Sequence, residues 1–285
     1  MQIHQLLNTS EVWPIGLNST WDPPKSLYLR GNLPIGQSVA VVGTRRMTPY
    51  GAACVRLLVP ELVRLGRVVV SGLALGVDGA AHKTCLDAGG RTVAVLGTGI
   101  DDDTIYPRAH FALAKEIIKS GGALISEYPE GTRGFKSNFP ARNRIVVGLS
   151  EVILVIEAPR KSGAMITARL GLDAGREVWA VPGPITSEMS WGPNELIRNG
   201  AVPITAVEDI AHALGLAPNL PRQAELPLSE IERALTEALR SGPLSADEIS
   251  RACGLDSTAA ALILTELEIK QVVAPFGMGR FVLYP

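Results

Sequence analysis

The segment KSNFPARNR, residues 136–144, interleaves positive side chains with one aromatic ring. The phosphates of a single-stranded nucleic acid attract positive charge, and its unpaired bases stack on aromatic rings. The segment therefore predicts a binding site for single-stranded DNA, with a solvated basic turn around a core phenylalanine as the alternative. The residues that we expect to contact the strand here are Lys136, Phe139, Arg142, Asn143 and Arg144.

A helix is expected to begin within this segment. Asn138 is a good N-cap, and Pro140 suits the first helical turn. Arg142 and Arg144 would then lie in the first turns, where positive charge opposes the helix dipole. This placement costs a small amount of stability unless an anion is bound there.

Glycine turns follow three short apolar runs elsewhere in the chain, and each turn could bind an anion. A turn that leads into a helix presents free backbone N–H groups, and the helix dipole favours negative charge there. Arg45 can grip a phosphate with two hydrogen bonds, and Arg160 and Lys161 precede the third turn. Each turn alone could be an ordinary surface turn, but all share one position after a predicted strand. The residues that we expect to bind phosphate are Gly43, Thr44, Ser71, Gly72, Ser162 and Gly163, with Arg45 as a further DNA contact.

Asp78 and His82 are spaced so that both would lie on one face of a helix. A general base or a metal site would need further ligands, and the sequence places none. We expect the two side chains to hydrogen-bond each other or nearby backbone and to hold the turn.

Several motifs that would indicate an enzyme are absent. The sequence has no GxxxxGK[ST], GxSxG or HExxH pattern. A stretch that begins at Gly97 starts like a dinucleotide fingerprint, but Asp102 stands where the third glycine belongs and would repel a pyrophosphate. Cys54, Cys85 and Cys253 have no CxxC spacing, so no zinc site is indicated. We predict no catalytic residue, no cofactor and no metal.

The composition of the 285 residues is that of a globular protein. Hydrophobic residues make up 46%, and the formal net charge is −1, so any attraction for nucleic acid must come from a local patch. No stretch reaches the roughly 20 apolar residues that span a bilayer, and the first residues do not resemble a signal peptide. A cytoplasmic protein is expected, with no membrane partner.

The elements that must position these residues alternate along the chain between short β-branched runs and helical segments. This alternation predicts an α/β fold, a doubly wound and mostly parallel sheet covered on both faces, over residues 36–215. Residues 1–35 would be a lead-in segment. Helices are expected at Gly51–Leu65, Ala109–Ser120 and Thr167–Ala174. The expected strands are Val39–Val42, Val68–Val70, Val93–Leu96, Leu124–Ile125, Val152–Ile156 and Val178–Val181.

A second, smaller domain is expected at residues 228–285, after a polar and proline-rich linker at 216–227. Three helices at Leu228–Leu239, Ser245–Ala252 and Ser257–Lys270, followed by a hairpin within Gln271–Tyr284, predict a winged helix. Ser245 with Glu248 three residues on predicts a capping box.

Taken together, these segments resemble the DprA/Smf (DNA-processing protein A) family from about residue 20 to 210. The order and spacing of the motifs make the resemblance specific. The matching segments are Pro23–Leu33, Val39–Gly51, Val69–His82, Tyr106–Pro107, Leu124–Gly131, Phe139–Ser150, Lys161–Ala168, Val181–Ile185 and Gly192–Ala201.

The resemblance implies an extended Rossmann domain that binds single-stranded DNA without sequence preference. It also implies protection of incoming DNA, loading of RecA in natural transformation, and a homodimer formed through the Rossmann domain. The family's DNA-contacting positions match Arg45 and the pocket of Lys136, Phe139, Arg142 and Arg144. Many members begin with a helical SAM-like or helix-hairpin-helix domain, whereas this sequence starts almost at the Rossmann lead-in, so any function that belongs to the extra domain is not expected from these residues.

Two departures shape the remaining expectations. In the second domain, acidic residues outnumber basic ones, and the helix expected to enter a DNA groove, Ser257–Glu268, has no positive side chain. A protein-contact or regulatory role is therefore expected for that domain.

The alternatives for the large domain are a phosphoribohydrolase-like enzyme that uses Glu127, and a module that binds a small nucleotide.

Overall fold

The structure, a computed structural model, describes residues 2–34, 36–216, 229–240, 242–269, 272–276 and 279–283. The chain divides into two compact units, residues 1–218 and residues 219–285. None of the helices in the described ranges is long and apolar enough to cross a membrane.

In the described part of the first unit, nine strands form one sheet. Their order across the sheet is β1-β2-β6-β5-β4-β3-β7-β8-β9, and every pairing from β6 to β9 is parallel. The predicted α/β class and the mostly parallel sheet are therefore confirmed. The strands are β1 (Ile3–Leu7), β2 (Ser26–Gly31), β3 (Ser38–Val42), β4 (Val68–Ser71), β5 (Thr92–Leu96), β6 (Ala123–Ser126), β7 (Val152–Val155), β8 (Glu177–Ala180) and β9 (Val202–Pro203).

The first two strands were not expected from the sequence. β1 and β2 form an antiparallel hairpin, and β2 pairs antiparallel with β6, so the segment before residue 35 extends the sheet at its edge. In β1 only Leu6 is buried, and a strand with so little burial lacks the apolar run on which the other predictions rested.

Helices cover both faces of the sheet. On one face α1 and α2 pack against Val39 and Val41, and on the other α4 and α5 pack against Ala40 and Val42, since successive side chains of a strand point to opposite faces. The helices of this unit are α1 (Pro49–Arg64), α2 (Val77–Asp87), α3 (Phe111–Lys119), α4 (Asn138–Gly148), α5 (Gly163–Asp173), α6 (Trp191–Arg198) and α7 (Glu208–Ala213).

The direction of winding reverses at β3. The chain runs from β3 through β4 and β5 to β6, and then returns to place β7 against the other side of β3. Open α/β sheets bind ligands outside the carboxyl ends of strands at such a switch point. The loops that leave β3 and β7 therefore mark the expected position of a site.

The second unit has the helices and the hairpin that the sequence predicts, in the arrangement of a winged helix. The capping box of Ser245 and Glu248 is confirmed, and Ser229 and Glu232 form another. A short strand, β10, pairs with β12 and was not predicted. Much of the expected linker, residues 217–227, lies outside the described residues. The elements are α8 (Glu230–Leu239), β10 (Leu244–Ser245), α9 (Ala246–Cys253), α10 (Ser257–Ile269), β11 (Val273–Pro275) and β12 (Arg280–Leu283).

Candidate nucleic-acid interface

A groove of about 780 Å³ opens at the carboxyl ends of β3, β4 and β7, at the switch point of the sheet. We refer to it as the switch-point groove. It brings together segments that lie far apart in the sequence, because the loops after three strands and the start of α4 all meet there. The expected site residues that line it are Gly43, Thr44, Arg45, Gly72, Lys136, Phe139, Arg142, Asn143, Ser162 and Gly163.

Phe139, in the first turn of α4, presents an aromatic ring to this groove. The ring is half-buried, and a Cβ built on Gly97 or Gly134 would lie 3.1 or 3.0 Å from its carbons. The ring thus occupies space that a side chain at either glycine would need. The guanidinium carbon of Arg45 lies 5.4 Å from the ring centroid, and the ring of Tyr106 lies 5.6 Å away at 44°.

The positive side chains of the groove have different exposures. Arg45, Arg46, Lys136 and Lys161 are exposed, so their charges are available to a ligand. Arg142, in contrast, is buried in the wall of the groove. Only the exposed side chains can neutralise the phosphates of a strand without a rearrangement of the protein.

Arg142 is held by several partners inside the protein. It donates to the backbone carbonyl of Val95 and, over 3.1 Å, to the side-chain oxygen of Asn143, and one nitrogen lies 3.7 Å from the carboxylate of Asp78. Burial lowers the pKa of Arg142, the charge of Asp78 opposes this, and the charge of Arg45 adds to it. Arg142 therefore supports the wall of the groove, with its charge partly neutralised by Asp78.

The start of α5 forms the opposite side of the groove. Ser162 is the N-cap, and its hydroxyl accepts a hydrogen bond from the amide of Met165 over 3.3 Å. Within the described residues, the amides of Gly163 and Ala164 have no acceptor, so they can bind an anion as the sequence suggests. The side-chain amide of Asn143 donates to the carbonyl of Gly163 over 3.3 Å and joins α4 to this turn.

The turn after β3 differs from its expected form. The helix α1 begins at Pro49, capped by Thr48, so Gly43 and Thr44 do not lead directly into a helix. The amide of Thr44 donates to the carbonyl of Glu157 over 2.7 Å. This turn offers the Arg45 side chain to a ligand, and it is not a helix N-terminus with free amides.

The turn after β4 is also occupied by protein groups, contrary to expectation. Ser71 is fully buried and outside the groove, and its hydroxyl donates to the carbonyl of Val41 over 2.6 Å. The amide of Gly72 donates to the carboxylate of Asp78 over 3.1 Å. Neither residue has a free group for a phosphate, so their expected role as phosphate ligands is wrong in this structure.

Asp78 holds the turn after β4, as the sequence predicts, whereas the partner of His82 is a side chain of β5, which the sequence does not predict. The carboxylate of Asp78 binds the backbone of the turn after β4, and burial raises its pKa against the charge of Arg142. His82 contacts the hydroxyl of Thr92 through its Nδ1 over 2.7 Å, and burial lowers the pKa of His82 to about 3. No group of three or more metal-binding side chains occurs in the ranges described.

Arg144 lies outside the groove, which corrects its expected role as a DNA contact. Its side chain is 10% exposed and pairs with Glu127 at 2.8 Å and Asp22 at 3.2 Å. Burial alone would lower the pKa of Arg144, but the hydrogen bonds and charges of the two carboxylates outweigh it and raise the pKa. One helix positions both arginines, yet residues 142 and 144 point in different directions because they are about 200° apart around the helix axis.

Comparison with family models assigns both units. The model for the DNA recombination-mediator protein A family matches residues 4–215, and a model for the DprA winged helix domain matches residues 218–276. The first match covers well over half of the chain. The chain belongs to the DNA recombination-mediator protein A family. The DprA/Smf resemblance seen in the motifs is thereby confirmed.

Relatives in this family share the large domain. The chain is 44% identical to protein Smf of Escherichia coli (strain K12) over 213 residues, which cover 74% of this chain and 56% of that protein. It is 42% identical to the DNA processing protein DprA of Bacillus subtilis (strain 168) over 209 residues, 72% of this chain and 69% of the relative. The match thus spans little more than half the length of the E. coli protein.

Solved structures of the family have the same fold. DprA from Streptococcus pneumoniae superposes with a TM-score of 0.69 at 36% identity, covering 74% of each chain. DNA processing protein A from Helicobacter pylori, described for its single-stranded DNA binding mode, superposes with a TM-score of 0.67 at 34% identity, covering 75% of this chain and 96% of that one.

The local sequence does not predict that Tyr106 lines the groove. Tyr106 is 51% exposed and lies beside Phe139, in a loop that precedes α3. Nothing in the spacing of neighbouring residues indicates a binding role for Tyr106. Its membership of a DprA/Smf motif, Tyr106–Pro107, is the one indication that the sequence contains.

Proposed function

We propose that the switch-point groove binds single-stranded DNA without sequence preference. The observation that carries the proposal is the Phe139 ring, which lines the groove and is flanked by the Arg45 guanidinium. Any base has a face that can stack on such a ring, and stacking contributes about 1–3 kcal/mol per base. The relationship to H. pylori DNA processing protein A supports the same ligand.

The exposed charges of the groove suit a flexible polyanion. Arg45, Arg46 and Lys136 lie on the side of β3 and α4, and Lys161 with the amides of Gly163 and Ala164 lies at the start of α5. A strand whose bases face the ring can place successive phosphates near these groups. Stiff duplex DNA has its bases stacked internally, and it cannot use Phe139 in this way.

Two side chains of the groove that could read base edges are already occupied, which supports an absence of sequence preference. Arginine and asparagine are the side chains that read base edges through two hydrogen bonds. In the groove, Arg142 and Asn143 already bond to Val95, to Gly163 and to each other. We therefore assign them to shaping the groove, and we assign strand contact to Arg45, Lys136 and Phe139.

The test is the affinity for an oligo-dT strand and for a matched duplex, measured by fluorescence anisotropy over a range of salt concentrations. We expect tight binding of the strand, weak binding of the duplex, and a linear fall of log affinity with log salt concentration. Equal affinity for both forms, or strand binding that does not depend on Arg45 and Phe139, would contradict the proposal.

We propose that the chain acts by binding rather than by catalysis. The acidic groups that could serve as a base have partners within the protein: Glu157 accepts hydrogen bonds from the amide and hydroxyl of Thr48, and Glu127 pairs with Arg144. In the loop that would correspond to a phosphoribohydrolase motif, Gly183 is bonded to the side chain of Asn194 in both directions. Release of a free base from a nucleoside monophosphate would instead support the enzyme.

The family assignment supports a wider role as a proposal. We propose that the bound strand is protected and passed to RecA in the cytoplasm, that the large unit self-associates, and that the residues after 228 contact a protein partner. The rate at which RecA filaments form on strands coated with single-strand binding protein tests the transfer step. Phe139→Ala should abolish the acceleration if delivery depends on this groove.

A further inference from the structure

A second arginine lies over an exposed aromatic ring near the switch-point groove. Trp191, the first residue of α6, is 37% exposed, and the guanidinium carbon of Arg160 lies 5.1 Å from its ring centroid. Neither residue of this pair belongs to the hydrophobic core or to the contacts proposed around Phe139. Its geometry is close to that of Arg45 and Phe139, at 5.4 Å.

The Trp191–Arg160 pair lies at the edge of the groove. Pro159 and Lys161, on either side of Arg160 in the chain, line the groove, and so do Glu188 and Met189, which precede Trp191. Backbone hydrogen bonds hold the two segments together: the amide of Ala158 donates to the carbonyl of Met189, and the amide of Gly192 donates to the carbonyl of Ala158, both over 2.8 Å.

The charge around this pair favours an anion. Within the described residues Arg160 has no ion pair, and the nearby carboxylate of Glu195 pairs with Arg198. Lys161 is exposed beside Arg160. The exposed Glu188 contributes one opposing charge at the same edge. Two cations and a large exposed ring lie together here against the charges of Glu188 and Glu195, and cations beside a ring are the combination that a base and its phosphates require.

We propose that Trp191 is a second stacking platform for a base of the bound strand and that Arg160 contacts a phosphate beside it. The strand then continues from Phe139 along the groove, past the start of α5, and leaves over the loop between β7 and α5. This inference rests on the proposed function and extends its site to the start of α6. Under this proposal Trp191 stacks against a base, which an ordinary surface residue would not do.

Intrinsic fluorescence gives the first test, because stacking of a base on an indole ring quenches its emission. The chain has four tryptophans, of which Trp179 and Trp13 are buried and Trp21 is 87% exposed. We expect oligo-dT to quench the emission of the unaltered chain and of Trp21→Phe, and to leave Trp191→Phe unquenched. Quenching that persists in Trp191→Phe would overturn the proposal.

A length series gives the second test, with oligo-dT from about 4 to about 16 nucleotides. Trp191→Ala should weaken binding of long strands about five- to tenfold and leave the shortest strands, which reach Phe139 alone, unaffected. Trp191→Phe should restore part of the loss because phenylalanine keeps an aromatic face. An equal loss at all lengths would indicate a structural role and overturn the proposal.

The two proposals can fail separately. If no oligonucleotide binds the unaltered chain, the proposed function itself is wrong. If Phe139→Ala weakens binding and Trp191→Ala does not, single-strand binding stands and the second platform is wrong. If Trp191→Ala does not fold, the quenching experiment and Trp191→Phe still decide the question.

Discussion

The guanidinium of Arg142 occupies the space beside Gly72 that any side chain at position 72 would fill. A Cβ built on Gly72 overlaps both terminal nitrogens of Arg142, one of which donates to the carbonyl of Val95. The close approach of a helix side chain to a strand end thus depends on the absence of one methyl group.

Gly72→Ala should destabilise the first unit by about 1–3 kcal/mol, because the added methyl displaces Arg142 from a well-packed wall. Urea unfolding followed by tryptophan fluorescence measures this unit alone, since Trp13, Trp21, Trp179 and Trp191 all lie in it. Gly163→Ala is the matched control. No atom lies within 4 Å of its Cβ position, so we expect a change within about 0.5 kcal/mol.

Phe139→Ala should weaken oligo-dT binding by about 1–3 kcal/mol if a base stacks on the ring. Phe135→Ala, four residues earlier in the same segment, removes a ring that is 64% exposed and outside the groove lining, and it should leave affinity unchanged. Anisotropy titration at one salt concentration compares the two. Equal losses in both variants would point to a disturbed segment and not to stacking.

Removal of any one exposed cation of the groove, in Arg45→Ala, Lys136→Ala or Lys161→Ala, should reduce the slope of log affinity against log salt concentration by about one. Each side chain is expected to displace roughly one counterion from the strand. The matched control is Arg169→Ala, which removes an exposed charge of α5 that does not line the groove. An unchanged slope in all three groove variants would remove these cations from the binding site.

Arg144→Ala should lower stability and leave the salt slope as it is. The substitution removes charged hydrogen bonds to Glu127 and Asp22, and such bonds contribute about 1.5–3 kcal/mol each, with less expected here because Asp22 is 62% exposed. The salt slope tests whether Arg144 contacts the strand. A slope reduced by about one would show that Arg144 does contact the strand.

His82 should make the first unit sensitive to acid. Its folded pKa of about 3 lies below the ordinary value of 6.5, so between these values the unfolded chain binds the extra proton and stability falls as the pH falls. From pH 7 to pH 5 this effect alone removes about 2 kcal/mol. His82→Asn should lower the free energy of unfolding at pH 7. Between pH 7 and pH 5, however, the variant should lose about 2 kcal/mol less of that free energy than the unaltered chain. The same substitution at the exposed His4 should leave the difference between the two pH values unchanged.

The sheet could be predicted from the sequence because its central strands are buried on both faces and appear as continuous β-branched runs. The hairpin of β1 and β2 could not, since each of the two strands has only one buried side chain, Leu6 in β1 and Leu27 in β2. The groove was predicted from the positions of turns after strands. The roles of Ser71, Gly72 and Arg144 were not, because a sequence does not show which polar groups already have partners within the protein.

The hydrogen bond from Asn143 to Gly163 ties the helix that carries the aromatic ring to the turn that carries the free amides. Gly97 and Gly134 leave room for the ring of Phe139 on two sides, where a side chain would meet it. A single strand that stacks a base on this ring must give up stacking between its own bases to do so. Runs of thymine, which stack weakly on themselves, should bind more tightly than runs of adenine, even though no side chain distinguishes one base from the other.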